Sequence, residues 1–442
     1  TGIGFLVFAY TSAYLKNHEY LDRFYGYLSM FMAAMLGLVL SDNLLSLFLF
    51  WELTSISSFF LIGFNNNVKA SRKAAVTALA ITGLGGMALL AGAIFLGSVA
   101  GTYSISEMLN MGGTVVSSPF YILIAILFFL AAFTKSAQFP FHFWLPGAMK
   151  APTPVSTYLH SATMVKAGIY LLMRMTPVLG NQEFWNSTLI IVGAITMVYS
   201  AIHTLFRTDL KGILAYSTIS ALGILVFLIG QGTEGALMAA AVFIIVHALY
   251  KATLFLVTGI IDHETGTRNT TVLAGLRKVL FPVAIAGFLA AISSAGIPPT
   301  IGFLGKELTY ESTLAIIGSP ILWIVLIVIT KILLLYAGFV AGIKPFTGKL
   351  PSKFEKVHLP SFLMWVPPLI LATGGLVFGI FPGFIESSLV KSTVASMGLD
   401  VADEHLQLWH GFNTVLWLSI FCLTGVLSGR CAVWHIRRGS YL

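Results

Sequence analysis

The chain has 442 residues, of which 57% are apolar and only 10% are charged, with a formal net charge of +8. Soluble globular proteins carry roughly 25% charged and 45–50% apolar residues, so this composition excludes a soluble enzyme, a disordered chain and a nucleic-acid-binding protein. The basic residues lie in short segments between apolar runs, where they do not form a nucleic-acid surface. Two cysteines, Cys422 and Cys431, are too few for a disulfide framework or a metal cluster.

Long apolar runs predict about thirteen membrane-spanning helices, since one crossing needs about 20 residues. The first run is short, no basic segment precedes it and the chain opens at Thr1, so we expect the sequence to begin inside a longer native chain. The run 279–317 contains Gly296, Pro298 and Pro299 and predicts a discontinuous helix that crosses once. The predicted spans are 2–15, 25–41, 43–64, 74–100, 119–138, 154–179, 187–206, 212–230, 236–261, 279–317, 319–343, 361–383 and 408–428.

The charges between the spans predict which side of the membrane each loop faces. When the loop with Lys69, Arg72 and Lys73 is placed in the cytoplasm, nearly all other loop lysines and arginines fall on the same side. Only Arg174 and Lys391 fall outside, and the outer loops otherwise hold acidic residues, which is the positive-inside distribution. Those acidic residues are Glu107, Glu183, Glu234, Glu386, Asp400, Asp403 and Glu404.

Lysines inside apolar runs are unusual, because a charge at the bilayer centre costs about 2.5–3.5 kcal/mol on insertion scales. The number present here is too large for accident, and we expect these lysines to face a protein interior or a hydrated path. They are Lys135, Lys166, Lys251, Lys306 and Lys331.

A short internal repeat accompanies these lysines. The segment Phe129-Leu-Ala-Ala132 recurs as Phe288-Leu-Ala-Ala291, and a proline follows eight residues later in both copies, at Pro140 and Pro299. Each copy ends a predicted helix, opens an irregular stretch and is followed by a span with one lysine. The copies lie five spans apart, and an odd offset reverses orientation, so the pattern predicts inverted repeats with broken helices, as in many secondary transporters. Chance similarity between apolar segments is the alternative.

Glu52 and Lys135 are the first candidates for proton transfer. Glu52 lies mid-span without a basic neighbour in sequence, which is typical of a carboxylate that tunes or relays protons, or else of a buried acid that locks two helices. Lys135 lies just before the Pro140 break. Burial and a nearby carboxylate act in opposite directions on its charge, so it can load and unload a proton. The alternative is a lysine that snorkels from a helix end.

Two histidines lie near other buried lysines. His247 and Lys251 are four residues apart on one predicted helix and share a face, which favours a relay step over an isolated core histidine. His160 and Lys166 are six residues apart and need not touch, and each is a candidate for a separate contact in the interior.

Lys306 follows the second helix break, beside Glu307, and is a candidate exit group of the path or a member of a structural ion pair. A second group of charged residues lies at a predicted cytoplasmic boundary, and this position favours their interpretation as loop charges. They are His203, Arg207, Asp209 and Lys211. The chain has no metal-ligand spacing, nucleotide fingerprint or redox motif. We therefore predict no cofactor, and we expect its energy to come from ion gradients or from a partner.

Several segments are similar to the antiporter-like subunits of respiratory complex I, and most of all to the large A subunit of multisubunit, Mrp-type sodium/proton antiporters. The resemblance covers nearly the whole chain. The segments are Leu40-Ser-Asp-Asn-Leu-Leu45, Phe50-Trp-Glu-Leu-Thr-Ser-Ile-Ser-Ser58, Thr134-Lys-Ser-Ala-Gln138, Trp144-Leu-Pro146, Pro152-Thr-Pro-Val-Ser156, His160-Ser-Ala-Thr-Met164, Leu214-Ala-Tyr-Ser-Thr218, His247-Ala-Leu-Tyr-Lys251, Gly302-Phe-Leu-Gly-Lys-Glu307 and Leu408-Trp-His-Gly-Phe-Asn413.

The resemblance implies an all-α polytopic membrane fold with two inverted five-helix repeats, each with a broken helix. It also implies roles for individual residues. Glu52 corresponds to a carboxylate that modulates the proton-carrying Lys135, His247 and Lys251 to connecting central residues, and Lys306 to the lysine of the second half. His160 matches a histidine between them.

Two departures from the relatives bear on this interpretation. The complex I homologue has an aspartate where this chain reads Gly83-Leu-Gly-Gly86, which favours the antiporter subunit. The chain also stops at Leu442 without the long lateral helix of that homologue. Because the antiporter subunit has further N-terminal spans and a further C-terminal domain, we expect segments of the native chain beyond both ends of this sequence.

These observations predict a proton-translocating subunit of a multisubunit sodium/proton antiporter, a secondary transporter rather than an enzyme, in the plasma membrane of a prokaryote. Its expected partners are other hydrophobic subunits, the lipid bilayer, protons and sodium ions, and no nucleic acid. One alternative is a proton-pumping subunit of complex I or a membrane-bound hydrogenase, and another is a scaffold whose lysines only pin helices. The predicted organisation is a partial span and loop at 1–24, a first repeat at 25–180, a second inverted repeat at 187–343 and C-terminal spans at 344–442.

Overall fold

The computed structural model describes residues 1–316, 320–399, 405–408 and 411–424, and this part of the chain is almost entirely helical. It contains no β-strand, and its β-type pairings are two isolated bridges. The helices of ten or more residues are α1 Gly2–Tyr14, α2 Leu21–Leu40, α3 Leu44–Ile62, α4 Lys69–Ala100, α5 Tyr121–Lys135, α6 Ala167–Leu179, α7 Glu183–Leu205, α8 Leu210–Gln231, α9 Glu234–Thr265, α10 Phe281–Ser294, α11 Ile301–Leu314, α12 Pro320–Gly342, α13 Phe362–Ile380 and α14 Thr414–Thr424.

Within the described residues, eight helices are long and apolar enough to cross a membrane, and α1, α5, α10 and α14 are shorter apolar helices. The predicted all-α, polytopic membrane fold is confirmed. The predicted outer-loop residues Asp400, Asp403 and Glu404 lie outside the described residues, as does the end of the predicted span 408–428. The boundaries proposed between the two repeats stay a prediction.

The helix break predicted in the run 279–317 is present. α10 ends at Ser294 and α11 begins at Ile301, with Gly296 in a left-handed conformation (φ 64°) between them. The earlier break has the same form: α5 ends at Lys135, and Ala137 has φ 49°. In both breaks the left-handed residue stands three positions before the proline, so the two breaks share the same local backbone pattern.

The predicted span 154–179 is not one regular helix, because irregular turns interrupt it. A short helix, Thr153–Thr157, runs into a wide π-helical turn at Tyr158–Ala162, and regular α-helix resumes only at α6. Thr163 leaves helical geometry (φ −129°, ψ −94°), and its hydroxyl donates to the Tyr158 carbonyl at 2.7 Å. A side-chain hydroxyl thereby satisfies a carbonyl that the helix would otherwise bond, which apolar periodicity does not reveal.

Matching caps begin corresponding helices in the two halves. The Asn43 side chain accepts from the Leu45 N–H at 2.9 Å before α3, and the Asp209 side chain accepts from the Gly212 N–H at 3.1 Å before α8. Such side chains satisfy amide groups that the first helical turn leaves free.

The chain also returns to both caps in the same way. Asn43 forms a bridge with Ser104, which follows α4, and Asp209 forms one with Asn269, which follows α9. Both α4 and α9 have 32 residues and end on a left-handed glycine, three positions before the bridging residue. The two halves are therefore built on the same local plan.

The centre of the molecule is formed by α8 and α9. Nearly every residue of α8 is buried, so this helix is apolar on all sides and is enclosed by protein rather than by lipid. α7, α9 and α12 pack around it, and α9 in turn contacts α10, α11 and α13. The outer helices instead expose large apolar side chains such as Leu84, Ile191 and Ile321, as a lipid-facing surface requires.

Small residues set the closest helix approach at this centre. A β-carbon at Gly223 would lie 2.5 Å from the Met197 backbone nitrogen, and one at Gly193 would lie 2.5 Å from the Phe227 backbone nitrogen. α7 and α8 therefore meet backbone to backbone, which is how membrane helices gain packing energy without a hydrophobic driving force.

Gly223→Ala is expected to destabilise the protein by about 1–3 kcal/mol, because the added methyl forces two backbones apart in a packed core. Thermal unfolding in detergent, followed by the loss of monodisperse protein, measures the change. Gly83→Ala is the matched control, since a β-carbon at Gly83 meets nothing within 4 Å. Equal unfolding temperatures for the two variants would contradict the proposed contact.

Candidate functional site

Lys135 and Glu52 lie on packed neighbouring elements but do not form a direct ion pair. The Lys135 side chain is fully buried, and its amine donates to the Trp51 carbonyl at 3.0 Å and the Ser55 hydroxyl at 2.7 Å. These acceptors flank Glu52 on α3, and the carboxylate interacts with the amine electrostatically. Glu52 Oε1 is buried without a hydrogen-bond partner among the described residues. The lysine is thus held by neutral groups, with a free carboxylate nearby.

Two adjacent glycines on α4 make room for this pair. A β-carbon at Gly86 would overlap the Glu52 carboxylate, and one at Gly85 would overlap the Thr134 hydroxyl, next to Lys135. The stretch that lacks the aspartate of the complex I homologue is therefore the surface against which Glu52 rests. Glycine is required here by space, since both residues have ordinary helical backbone.

His160 lies in the wide π-helical turn, fully buried, and neither ring nitrogen has a hydrogen-bond partner among the described residues. The Trp144 ring is 6.1 Å from it, and the Trp144 indole N–H donates to the Thr134 carbonyl at 2.9 Å. One aromatic side chain therefore connects the end of α5, where Lys135 lies, with the histidine.

Lys211 is a buried lysine that sequence reasoning missed. The sequence places it among loop charges at a boundary, yet it is 1% exposed, its amine donates to the Ala151 carbonyl at 2.9 Å, and its charge acts on His160. A signal was present: a lysine in the first turn of a helix opposes the helix dipole, so some tertiary contact must hold it there. Of the other boundary residues, His203 and Asp209 are partly exposed and Arg207 is exposed.

Lys166 and His247 meet at the middle of the molecule. The Lys166 amine donates at 3.0 Å to the carbonyl of Ile244, three residues before His247 on α9. His247 is fully buried and lies within electrostatic reach of Lys166, Lys251 and Lys331. Three lysines therefore lie around one histidine. His160 and Lys166, in contrast, share no hydrogen bond.

Lys251 occupies in the second half the position that Gly86 occupies in the first. Each stands 17 residues after the start of its 32-residue helix. Gly86 faces Glu52, and the Lys251 amine donates at 2.7 Å to Ser217, which is 165 residues after Glu52, just as Lys251 is 165 after Gly86. In the first half the acidic Glu52 faces the small Gly86, and in the second half the small Ser217 faces the basic Lys251.

Lys306 and Lys331 lie together beyond the second helix break. Lys331 lies 4.3 Å from the centre of the Phe243 ring, and both amines line a cavity of about 10 Å³. A second cavity of the same size is lined by Lys251 and Ser217, and both cavities share Tyr250 and Ser294. This is about the smallest space that holds one water molecule, so the lysines of the second half are separated by water-sized gaps.

Glu307, next to Lys306, turns toward α14, where its carboxylate accepts from the Ser419 hydroxyl at 2.5 Å. On the same helix pair, Tyr310 hydrogen-bonds to Cys422 at 2.8 Å. α14 therefore covers the second-half lysines. Among the described residues, no group of three or more His, Cys, Asp or Glu side chains is arranged to hold a metal ion.

The two bases predicted on the acidic outer face both have carboxylate partners. Arg174 is 3.3 Å from Asp42, and Lys391 is 3.1 Å from Glu386. Hydrogen bonds from Ser106, joined by Ser104 and Arg174, outweigh partial burial and hold the pKa of Asp42 below its usual range. Burial raises the pKa of Glu386, but hydrogen bonds from Leu406, His405 and Lys391 outweigh it, and the net pKa is lowered. Both partners are therefore anionic at neutral pH.

This fold, with lysines and histidines enclosed between broken membrane helices, defines a multi-pass membrane protein of the antiporter-like class. Residues 41–334 match the family described as "NADH:quinone oxidoreductase/Mrp antiporter, TM". The chain belongs to this family.

Individual relatives are similar along most of the chain. Na(+)/H(+) antiporter subunit A1 of Staphylococcus aureus strains Newman and MRSA252 is 43% identical over 93% of this chain and 55% of the relative. A chain in the solved structure of the Mrp complex from Dietzia sp. DQ12-45-1b matches with a TM-score of 0.90 and 38% identity, over 99% of this chain and 48% of that one.

This chain spans about half the length of those relatives. The resemblance to the large antiporter subunit is confirmed, and the relatives' names describe transporter subunits rather than enzymes.

In the antiport proposed below, Gly86→Ala is expected to slow transport about tenfold or more, because the methyl displaces the Glu52 carboxylate and 1.4 kcal/mol of lost positioning corresponds to a factor of ten. Sodium-driven dequenching of a pH-sensitive dye in everted vesicles measures the rate. The variant should resemble Glu52→Gln, and Gly83→Ala, one turn away on an open face, should transport normally. A Gly86→Ala rate equal to that of Gly83→Ala would show that the contact has no role.

Proposed function

We propose that this chain is the proton-translocating membrane subunit of a multisubunit sodium/proton antiporter. Protons pass through its interior along Glu52, Lys135, His160, Lys166, His247, Lys251 and Lys306, and their movement drives sodium export through the complex. To these sequence-predicted residues we add Lys211, beside His160, and Lys331, beside Lys306.

The observation that carries this proposal is the kind of partner each buried lysine has. Within the described residues the acceptors of Lys135, Lys166, Lys211 and Lys251 are backbone carbonyls and hydroxyls rather than carboxylates. A neutral acceptor tolerates both the charged and the uncharged amine, whereas a carboxylate stabilises the charge. Each lysine can therefore bind a proton and release it.

Unsatisfied polar atoms support the same path. Glu52, His160, His247 and Lys306 each have a buried polar atom without a protein partner among the described residues. Buried polar groups normally have a protein or water partner, so we infer that water molecules link these groups. In the proposed path, His160 and His247 fall between lysines with neutral acceptors, and Glu52 and Lys306 stand at its two ends.

The subunit has no energy source of its own, so it acts with partners. We propose that these are other hydrophobic subunits, since the matched solved structure is that of a complex, and that the assembly lies in the plasma membrane of a prokaryote. Protons and sodium ions are the transported ions, in line with the names of the relatives.

The alternative is a proton-pumping subunit of a complex I-type enzyme or a membrane-bound hydrogenase. The family description includes NADH:quinone oxidoreductase. Purification of the native assembly distinguishes the two: small hydrophobic subunits alone support the antiporter, and iron–sulfur or quinone-binding subunits support the pump.

Lys135→Ala is expected to reduce sodium-driven proton movement by at least about a hundredfold, the range lost when a positioned proton-transfer group is removed. Lys135→Arg should fail as well, because arginine stays charged and cannot release its proton. Everted vesicles with the assembled complex provide the measurement. Lys150→Ala is the matched control, since Lys150 is exposed. Normal antiport in Lys135→Ala, with the complex intact, would remove Lys135 from the path.

Expression of this chain alone is expected to give no antiport, and co-expression with the small hydrophobic subunits of its complex should restore the activity. The assay is growth of a sodium-sensitive host in high sodium, together with antiport in everted vesicles. Membrane insertion of the lone chain, shown by immunoblot, is the control. Robust antiport by the isolated chain in liposomes would contradict the proposal that it depends on partners.

A further inference from the structure

A cavity of about 220 Å³ opens beside Lys166, to one side of the path described above. α2 contributes Met35 and Val39 to its wall, and α6 contributes Met173. The segment that follows α13 covers it with Thr393, Ser396 and Met397, two of which are exposed at the surface. The cavity has room for several water molecules.

Lys166 forms the inner end of this cavity. An ammonium group has three donors, and the structure gives the Lys166 amine one acceptor, the Ile244 carbonyl at 3.0 Å, whose residue also lines the cavity. The remaining donors need water when the amine is charged. His247 lies three residues beyond Ile244 on the same helix, and the charge of Lys166 acts on it.

Charged contacts close the outer end. Arg174 lines the cavity and donates to the Ser396 carbonyl at 2.8 Å while it pairs with Asp42 at 3.3 Å. The covering segment is tied down again where Lys391 meets Glu386. Arg174 and Lys391 are the two bases that break the positive-inside pattern, and both lie at this cover. The wall between the two ends is mostly apolar, so the charged groups of this cavity are Lys166 at its inner end and Arg174 at its mouth.

We propose that this cavity is a hydrated vestibule through which protons exchange between Lys166 and the membrane face that bears Asp42, with Arg174 holding its cover closed. The vestibule gives the central group of lysines an entrance of its own, distinct from Lys135 and Lys306. The inference rests on the proposed role of Lys166 in proton transfer, but its test does not require transport.

Cysteine labelling in the assembled complex tests the vestibule. In a background with Cys422→Ser and Cys431→Ser, Thr163→Cys and Ala162→Cys place thiols on the cavity wall, and Ser200→Cys is a buried control away from it. A charged, membrane-impermeant methanethiosulfonate added to whole cells should modify both wall positions and leave the control unmodified.

Arg174→Gln should raise the modification rate about two- to fivefold, the factor that corresponds to loss of an exposed ion pair. Wall positions that stay unreactive while the exposed Thr393→Cys reacts would overturn the vestibule. Reaction only with a lipid-soluble maleimide would overturn it too, and would assign the cavity to lipid. An unchanged rate in Arg174→Gln would overturn the role of Arg174. Normal antiport in Lys166→Ala would instead refute the role of Lys166 in the path, whatever the labelling shows.

Discussion

Burial of positive charge without a matching carboxylate is the constraint on which the rest of this structure depends. Lysines in a low-dielectric interior are costly when charged, and Lys135, Lys166 and Lys251 are here enclosed by helices that leave them only neutral acceptors among the described residues. A carboxylate at ion-pair distance would make each lysine a permanent structural cation. Its absence keeps the amines able to change charge, at the expense of stability.

The helix breaks and the small residues make the enclosure of these lysines possible. α5 ends at Lys135, and the chain is not helical at 136–140. Because of this break, the Lys135 amine is free to reach α3. Gly86 brings α4 close enough for Glu52 to rest on its backbone. The wide turn at His160 holds its ring inside the molecule beside Trp144. Irregular backbone at membrane depth is tolerated only where protein or a hydrated cavity surrounds it, and the wide turn around His160 is buried in protein.

Much of the fold could be predicted from the sequence, because apolar runs of span length and the prolines at 140 and 299 are strong local signals. The helix ends were less accessible: α4 begins at Lys69 rather than at 74, since its basic first turn is helical outside the apolar run. The interruption at Tyr158–Ala162 depends on a hydroxyl that satisfies a carbonyl, and hydropathy carries no trace of it. For the site, the lysines inside apolar runs could be identified from the sequence alone. Lys211 did not, because only the packed structure encloses a residue at a helix start, and the Glu52–Gly86 contact joins helices whose register no sequence pattern fixes.

The group around His247 has a consequence for how many protons the interior can hold. Lys166, Lys251 and Lys331 all act electrostatically on this one histidine, and among the described residues none of them has a carboxylate partner. Like charges in a poorly screened interior repel strongly, so each bound proton lowers the affinity of the group for the next one. In the proposed path, a proton that binds one member of the group therefore favours the release of a proton from another. Binding and release of protons at the centre would then be coupled by electrostatic repulsion alone, without the movement of a helix.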